Sequence, residues 1–508
     1  MVENKLASTE GIYKGTTAQE ERRQEYLESG WWVSIPLTIV PSHWLTESGH
    51  RFDAGFFSDE TVKATRLLHD GIFPTKSLKD LGVTAYHPTQ NQPRSNFKRI
   101  LTTPEKGTPF LSTTEMYSFR PKPNKFLSPA MKKLNELLVN PGMLLMSRSG
   151  SVAIPVYVSK CLSKFAITDD ALRIFPGNLP PGFLYAYLSS WVGRALVSKS
   201  QYGVTVKHLE APHLVSIECP IISDEEQGVI HEEIRKAYDL RDEANDMLDK
   251  ADEKLHSSLD LPHFEDVVVP YLPTPNTPGH HPFMPHPRAF PINASEFEDR
   301  FDASFHVPAA HVAVELLHKG SSKPVRLKTL VRKIDVAPRF KRIYVPKEYG
   351  VPFLQGSHLP QMHPIDIKYL SKSQQKGLDR WIIRKGWVLV TCSGTIGRVG
   401  MVSSYQDNWA ASQHLLRIVP DLGKSNPGYI AAFLMTPYAQ HQITAKIYGG
   451  VVDELTAEDM GVILVPEADR KTQDEIGNLV TMAFEMRDEA NEIEQGAIRR
   501  LEGILQQQ

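Results

Sequence analysis

The glycine-rich run Ser393-Gly394-Thr395-Ile396-Gly397 is the first candidate for chemistry, because backbone amides freed by glycine can cradle a phosphate. It lacks the lysine that a nucleotide-binding loop of this kind carries. A similar run, Ser149-Gly150-Ser151-Val152-Ala153, lacks the second glycine as well. His231-Glu232 opens a zinc-protease pattern, but Arg235 stands where the second histidine belongs. His280, His281 and His286 have no carboxylate or cysteine at ligand spacing. There is no Gly-x-Ser-x-Gly elbow and no Asn/Asp-Pro-Pro-Tyr/Phe tetrapeptide. Carboxylates that could serve a nuclease follow too loose a spacing to be excluded from the sequence. The expectation is therefore a chain with no catalytic residue, no metal ligand and no cofactor of its own.

What remains is binding chemistry. The net charge is −2, yet the basic residues are unevenly spread. Lys98, Arg99, Lys122 and Lys125 belong to a lysine- and arginine-rich stretch over residues 76–133, and Arg339, Lys341 and Arg342 to another over 323–347. Local basic faces matter more than net charge for contact with phosphates. Two polar loops mix such cations with amides and hydroxyls that can read base edges. The first, Gln90 to Arg99, offers Arg94 and Asn96. The second, Lys368 to Lys376, offers Ser371, Lys372, Gln374 and Gln375. Arg94, Asn96 and Gln375 are expected to touch bases, and Lys98 and Lys372 to touch the backbone.

The elements that must position these loops occur twice. Arg241-Asp242-Glu243-Ala244-Asn245 returns intact as Arg487 to Asn491 (487 − 241 = 246). Other pairs keep the order at nearly the same offset. Arg51 to Phe56 matches Arg300 to Phe305, Pro109-Phe110-Leu111 matches Pro352-Phe353-Leu354, Ser149 to Val152 matches Ser393 to Ile396, Leu172-Arg173-Ile174 matches Leu416-Arg417-Ile418, and Tyr202-Gly203 matches Tyr448-Gly449. Two like modules in one chain suit a long, pseudo-symmetric partner, and duplex DNA has that shape.

Each half shares one plan, a mixed α/β segment followed by a long helix. Strands are predicted at Met143–Met146, Trp387–Val390, Val215–Cys219 and Val462–Val465, and helices at Gly182–Leu196 and Gly428–Ala445. Ser223-Asp224-Glu225-Glu226 predicts the start of a helix running to about Leu259. Thr472-Gln473-Asp474-Glu475 predicts a second, running to about Leu505. Ile230, Ile234, Ala237, Ala244, Leu248, Ala251 and Leu255 follow 3–4 spacing, and so do Ile476, Val480, Ala483, Ala490, Ala497 and Leu501. The two helices are expected to pair antiparallel, with Arg241 and Arg487 near the centre against Asp242, Glu243, Asp488 or Glu489. Glu494 stands where the first helix has Leu248.

The segments are thus 1–50, an N-terminal extension in which Trp31-Trp32 and residues 35–40 suggest a strand; 51–222, the first module; 223–261, its helix; 262–298, a Pro/His-rich linker; 299–466, the second module; and 467–508, its helix. At 508 residues, 41% hydrophobic, the chain can bury several cores. It has no apolar signal segment, and its three cysteines are odd in number and far apart, which points to the cytoplasm.

Two modules each closed by a long helix, the Arg-Phe-Asp-Ala-x-Phe openings, and the segment from Phe353-Leu354-Gln355-Gly356-Ser357 to Ser393-Gly394-Thr395-Ile396-Gly397 resemble the specificity (S) subunit of type I restriction-modification systems. The resemblance covers roughly residues 50–508 and implies two tandem target-recognition domains, each reading half of a bipartite double-stranded DNA site. A long antiparallel two-helix coiled coil would hold them about a pseudo-twofold axis and dock two adenine methyltransferase subunits. S-adenosylmethionine would sit on those partners, and a restriction or translocase subunit would join where the system has one. The exposed helix face bearing Glu232, Glu233, Lys236, Glu253, Asn478, Met482 and Arg499 would carry the docking. Two other readings stay open: a DNA-modifying or DNA-cleaving enzyme with cryptic motifs, and a protein–protein scaffold.

Overall fold

The computed structural model describes residue 44 and residues 56–90, 92–149, 154–201, 208–267, 269, 289–293 and 300–507. Arg51–Gly55, Gly150–Ala153, Tyr202-Gly203, Trp31-Trp32, residues 35–40 and the linker histidines His280, His281 and His286 lie outside the described residues.

Strands in the first half are β1 (Thr75–Ser77), β2 (Thr84–Tyr86), β3 (Thr108–Leu111), β4 (Lys125–Leu127), β5 (Leu144–Ser147), β6 (Pro155–Tyr157), β7 (Ala166–Ile167), β8 (Ala171–Phe175) and β9 (Glu218–Pro220). Those in the second are β10 (Pro324–Arg326), β11 (Val331–Val336), β12 (Tyr344–Val345), β13 (Gly350–Leu354), β14 (Lys368–Ser371), β15 (Val388–Thr391), β16 (Val399–Met401), β17 (Ala410–Ala411), β18 (Leu415–Pro420) and β19 (Leu464–Pro466). The first half has a four-stranded sheet in the order β2-β8-β5-β6, and the second one in the order β11-β18-β15-β16. Beside each lies a second sheet, three-stranded β4-β3-β7 or four-stranded β12-β14-β13-β17, with a parallel pair at one edge (β3 with β7, β13 with β17). A two-stranded antiparallel ribbon, β1-β9 or β10-β19, leads into the long helix of its half.

The predicted strand at Val215–Cys219 begins later, at Glu218, because Ala211–Val215 is a short helix with proline in its first turn. Each predicted short helix is two. α1 (Pro181–Ser189) stops at Ser190, whose extended backbone and hydroxyl cap a second helix over Trp191–Lys199. α3 (Pro427–Leu434) is followed by a break at Thr436, which caps a helix whose first residue is Pro437. An extended Ser or Thr offering its oxygen to the next helix competes with helix continuation.

α2 (Asp224–Leu259) and α4 (Arg470–Leu505) close the two halves. Ser223 caps α2 as expected, accepting from the amide of Glu226. α4 starts two residues before Thr472, because Asp469 is the cap and accepts from the Thr472 amide at 3.0 Å. The helices lie side by side in opposite directions. Glu233, near the start of α2, meets Arg500, near the end of α4, at 3.1 Å, and Lys254 meets Glu475 at 2.8 Å. The seven apolar positions of α2 and six of α4 expected at a seam are all buried. The helices also pack on the sheet layers: Tyr238 joins the first-half core and Phe484 the second.

No helix among the described residues is long and apolar enough to cross a membrane.

Candidate nucleic-acid interface

The repeated pentapeptide is where helices and modules lock together. In α2, Asp242 accepts from the Ser159 hydroxyl at 2.7 Å and the Cys161 amide at 3.2 Å. In α4, Asp488 accepts from the Tyr405 amide at 3.3 Å. Asn245 donates to the carbonyl of Phe119 at 2.8 Å, and Asn491 to that of Met362 at 3.2 Å. Each aspartate and asparagine thus grips a loop of its own half. The two gripped loops meet each other, with Phe119 donating to the Pro360 carbonyl at 2.8 Å and Met362 to the Tyr117 carbonyl at 2.9 Å.

The arginines differ. Arg241 crosses to α4, donating to Asn491 at 2.7 Å and to the carboxylate of Glu494, which also accepts from the Tyr185 hydroxyl. Its guanidinium lies over the Tyr238 ring, 4.6 Å from the centroid. Among the described residues Arg487 has no such carboxylate across the seam, since its counterpart of Glu494 is Leu248. It turns back to Asp488 at 3.1 Å and stacks over Phe484 and Phe119. The expected partners were right for Arg487 and wrong for Arg241. Burial pushes the Glu494 carboxyl upward more than any one neighbour lowers it, but the Arg241 guanidinium, His363 and the Tyr185 hydroxyl together hold the group below the usual glutamate value. Glu494 likewise keeps Arg241 charged against the pull of burial.

Several histidines brace backbone amides. His231 accepts from the Gly182 amide through Nδ1 at 3.0 Å, and His358 from the Gln355 amide at 3.2 Å. Burial is the main cause that holds His231, His358 and His363 below the ordinary histidine value of 6.5. A depressed folded-state value means that the unfolded chain binds the extra proton more readily. Stability is then fully present above about pH 6.5 and falls as the pH drops from there toward the depressed values. The urea midpoint of the full chain should be lower at pH 5.5 than at pH 7.5. An unchanged midpoint would show that these rings do not need to be neutral.

The residues expected to meet nucleic acid are distributed as follows. Arg94 opens a 3₁₀ turn, Arg94–Phe97, and its side chain lies outside the described residues. Asn96 and Lys98 are exposed on either side of Phe97, which is buried. Lys125 is exposed at the start of β4. Lys122 is exposed but reaches the second half, donating to the Met435 carbonyl at 3.3 Å. In the second half Arg339, Lys341, Lys372 and Gln374 are exposed. Ser371 and Gln375, expected at the surface, are buried instead. The Ser371 hydroxyl accepts from the Gln374 amide. Gln375 spends both ends of its amide on backbone, accepting from Ile343 at 3.1 Å and donating to the Lys341 carbonyl at 3.3 Å. Both hold the loop in shape rather than face outward.

Arg99 and Arg342 are matched (342 − 99 = 243) in place as well as in sequence. Arg99 lies 4.7 Å from the Phe110 ring and donates to Asp169 at 3.1 Å. Arg342 lies 5.2 Å from the Phe353 ring and donates to Gln413 at 2.9 Å. Asp169 and Gln413 were missed by the sequence reading. Extending the Leu172–Leu416 match three residues upstream sets them opposite each other (413 − 169 = 244).

Asp252, His256 and His263 place one possible metal-ligand atom each within 4.8 Å of one another. The two rings are stacked nearly parallel, 4.3 Å apart. Their lone pairs therefore run side by side instead of converging on a point, as coordination requires.

No family model and no curated protein sequence matches the chain. Among solved structures, it is similar to the S subunit of a type I restriction-modification system from M. genitalium, with 11% identity and a TM-score of 0.34 over 85% of this chain and 95% of that one. It is similar to the HsdS subunit from Thermoanaerobacter tengcongensis at 13% identity and a TM-score of 0.26, over 85% and 95% of the two chains. The type IIG restriction endonuclease BpuSI is similar at 11% identity and a TM-score of 0.27, over 39% of this chain and 34% of that one.

Proposed function

We propose that the chain is the DNA-specificity subunit of a type I-like restriction-modification or methylation-based phage-defence complex, acting in the cytoplasm. Residues 51–222 and 299–466 are its target-recognition domains, and α2 and α4 form an antiparallel coiled coil relating them by a pseudo-twofold axis. The observation that carries this reading is the doubled pentapeptide, whose Asp and Asn grip equivalent loops of two modules with the same strand order. Such a frame holds two similar surfaces at a fixed separation, which suits two half-sites on one duplex. Asn96, Lys98, Lys125, Arg339, Lys341, Lys372 and Gln374 are the exposed residues offered to it, and Arg94 belongs to the same loop. Two adenine methyltransferase subunits dock on the outer helix face, where Glu232, Glu253, Asn478, Met482 and Arg499 are exposed. S-adenosylmethionine belongs to those subunits, and this chain does no chemistry.

The test joins the full chain with its methyltransferase partner. The chain alone, given S-adenosylmethionine and DNA, should transfer no methyl group, and the complex should methylate a bipartite motif. Exchanging residues 76–133 for those of a differently specific relative should change one half of that motif. Methyl transfer by the chain alone, or a change in both halves after one exchange, would refute the proposal.

A further inference from the structure

Each module has an open cleft at the same place in its fold, where the sheet with the parallel edge pair hands over to the antiparallel four-stranded one. In the first module the segment between β7 and β8, Thr168-Asp169-Asp170, forms one wall of a cleft of about 440 Å3 that also meets Arg99 and Ser149. In the second, Gln413 and His414, from the segment between β17 and β18, line a cleft of about 320 Å3 that meets Ser393. The frames of these segments are alike. Thr168 and Ser412 are buried, and their hydroxyls accept from the amides of Asp170 and His414 at 3.4 and 3.3 Å. Behind the first lies Arg173, fully buried, which donates to the carbonyls of Thr168, Ala171 and Ile167. Its counterpart Arg417 is held by Asp335 at 2.8 Å.

The chemistry on these matched frames differs at the two outward positions. Asp169 and Asp170 stand opposite Gln413 and His414, and all four are only partly buried. Each first residue is oriented by its arginine lying against a phenylalanine, yet keeps capacity. Arg99 engages Oδ1 of Asp169, and among the described residues Oδ2 accepts no hydrogen bond. Gln413 accepts from Arg342 through Oε1, while Nε2 meets His414 at 3.0 Å. An amide oxygen can accept a second bond, and an amide nitrogen has a second proton. A rigid, half-satisfied polar group on a common frame is what discrimination between bases requires.

Resting on the reading of the chain as a DNA-specificity subunit, we propose that Asp169-Asp170 and Gln413-His414 are the base-reading positions of the two modules, with Arg99 and Arg342 as positioning residues. A carboxylate accepts from the amino group of cytosine, and a glutamine can pair with both the amino group and N7 of adenine. Asp169 therefore selects a cytosine in one half-site and Gln413 an adenine in the other. The acidic pair adds nothing to phosphate attraction, so its contribution lies in choice among sequences.

The experiment is selection from a random duplex library by the full chain bound to its methyltransferase partner. The unaltered complex, Asp169→Asn, Gln413→Glu and Gln413→Ala are compared, and assembly is checked by size-exclusion chromatography. Asp169→Asn keeps an oxygen for Arg99 and replaces the other with a donor. It should shift one position of one half-site from cytosine toward adenine, erasing a preference of roughly 5- to 150-fold. Gln413→Glu should shift one position of the other half-site the opposite way, and Gln413→Ala should leave that position unselected. Enrichment of an unchanged motif by assembled variants overturns the proposal, as does uniform weakening without altered preference. If the unaltered complex enriches no sequence, the specificity-subunit reading fails and takes this inference with it.

Discussion

Replacing Glu494 by alanine should cost about 3–5 kcal/mol of folding stability, because it leaves the Arg241 guanidinium buried and uncompensated. Arg241 is 2% exposed and Glu494 4% exposed, so water cannot replace the lost carboxylate without opening the seam. Tyr185 loses its acceptor in the same step. Removing both charges is a different matter. The double variant Arg241→Leu with Glu494→Leu gives the second helix the residue that the first already carries at Leu248. It should lie close to the parent, since a buried pair exchanged for packed apolar groups is often neutral or stabilising by roughly 1–4 kcal/mol. Urea unfolding of the parent, Arg241→Leu, Glu494→Leu and the double supplies the cycle, with Glu494→Ala measured beside it. A loss below about 1 kcal/mol for Glu494→Ala would mean that the charge was never sequestered. The pair has a second consequence. Glu494 faces Arg241 but the repeat offers only Leu248 to Arg487, so the two halves of the seam are not interchangeable. A single polar contact of this kind sets register in paired helices.

The seam was legible because its signal is local: apolar residues at 3–4 spacing fall on one stripe whatever they pack against. Ser223 was legible as a cap for the same reason. Asp469 was not, because Thr472, three residues on, looks equally suited, and only the accepted hydrogen bond decides between them. Glu494 broke the apolar pattern in plain view, yet its partner lies on the other helix, 253 residues away. Ser371 and Gln375 were read as surface groups because polar side chains in a basic loop usually are. Their burial follows from backbone amides and carbonyls of residues 341–343 that need partners, which no spacing in the sequence announces. The clefts were hidden differently. Arg99 and Asp169 are 70 residues apart, and each alone resembles an ordinary surface charge. Only the repeat, carried a few residues beyond its obvious matches, puts Asp169 opposite Gln413.

Two glycines on α4 should respond to the same substitution with opposite signs. Gly477 packs against the start of α3, where a Cβ would fall 2.1 Å from Oδ1 of Asn426 and 2.8 Å from the Tyr429 amide nitrogen. Gly428, facing it, would place a Cβ 2.0 Å from the Gly477 carbonyl oxygen, so neither backbone has room to yield. Asn426 is the cap of α3, accepting from the amides of Gly428 and Tyr429. Gly477→Ala must therefore part the helices and disturb that cap. Overpacking costs roughly 1–3 kcal/mol and loss of a cap about 0.5–2 kcal/mol, giving an expected loss of about 2–5 kcal/mol. The first module shows why the position is not a general requirement. His231 occupies the matching place (477 − 231 = 246), and α1 has no side-chain cap, so the ring itself accepts from Gly182. Gly496 is in the same helix, but a Cβ there meets nothing within 4 Å. Gly496→Ala should stabilise the chain by about 0.5–1 kcal/mol, through the smaller entropy that alanine loses in a helix. Unfolding midpoints of the two variants should move apart on either side of the parent. Equal shifts would show that helix propensity, rather than contact between α3 and α4, governs both sites.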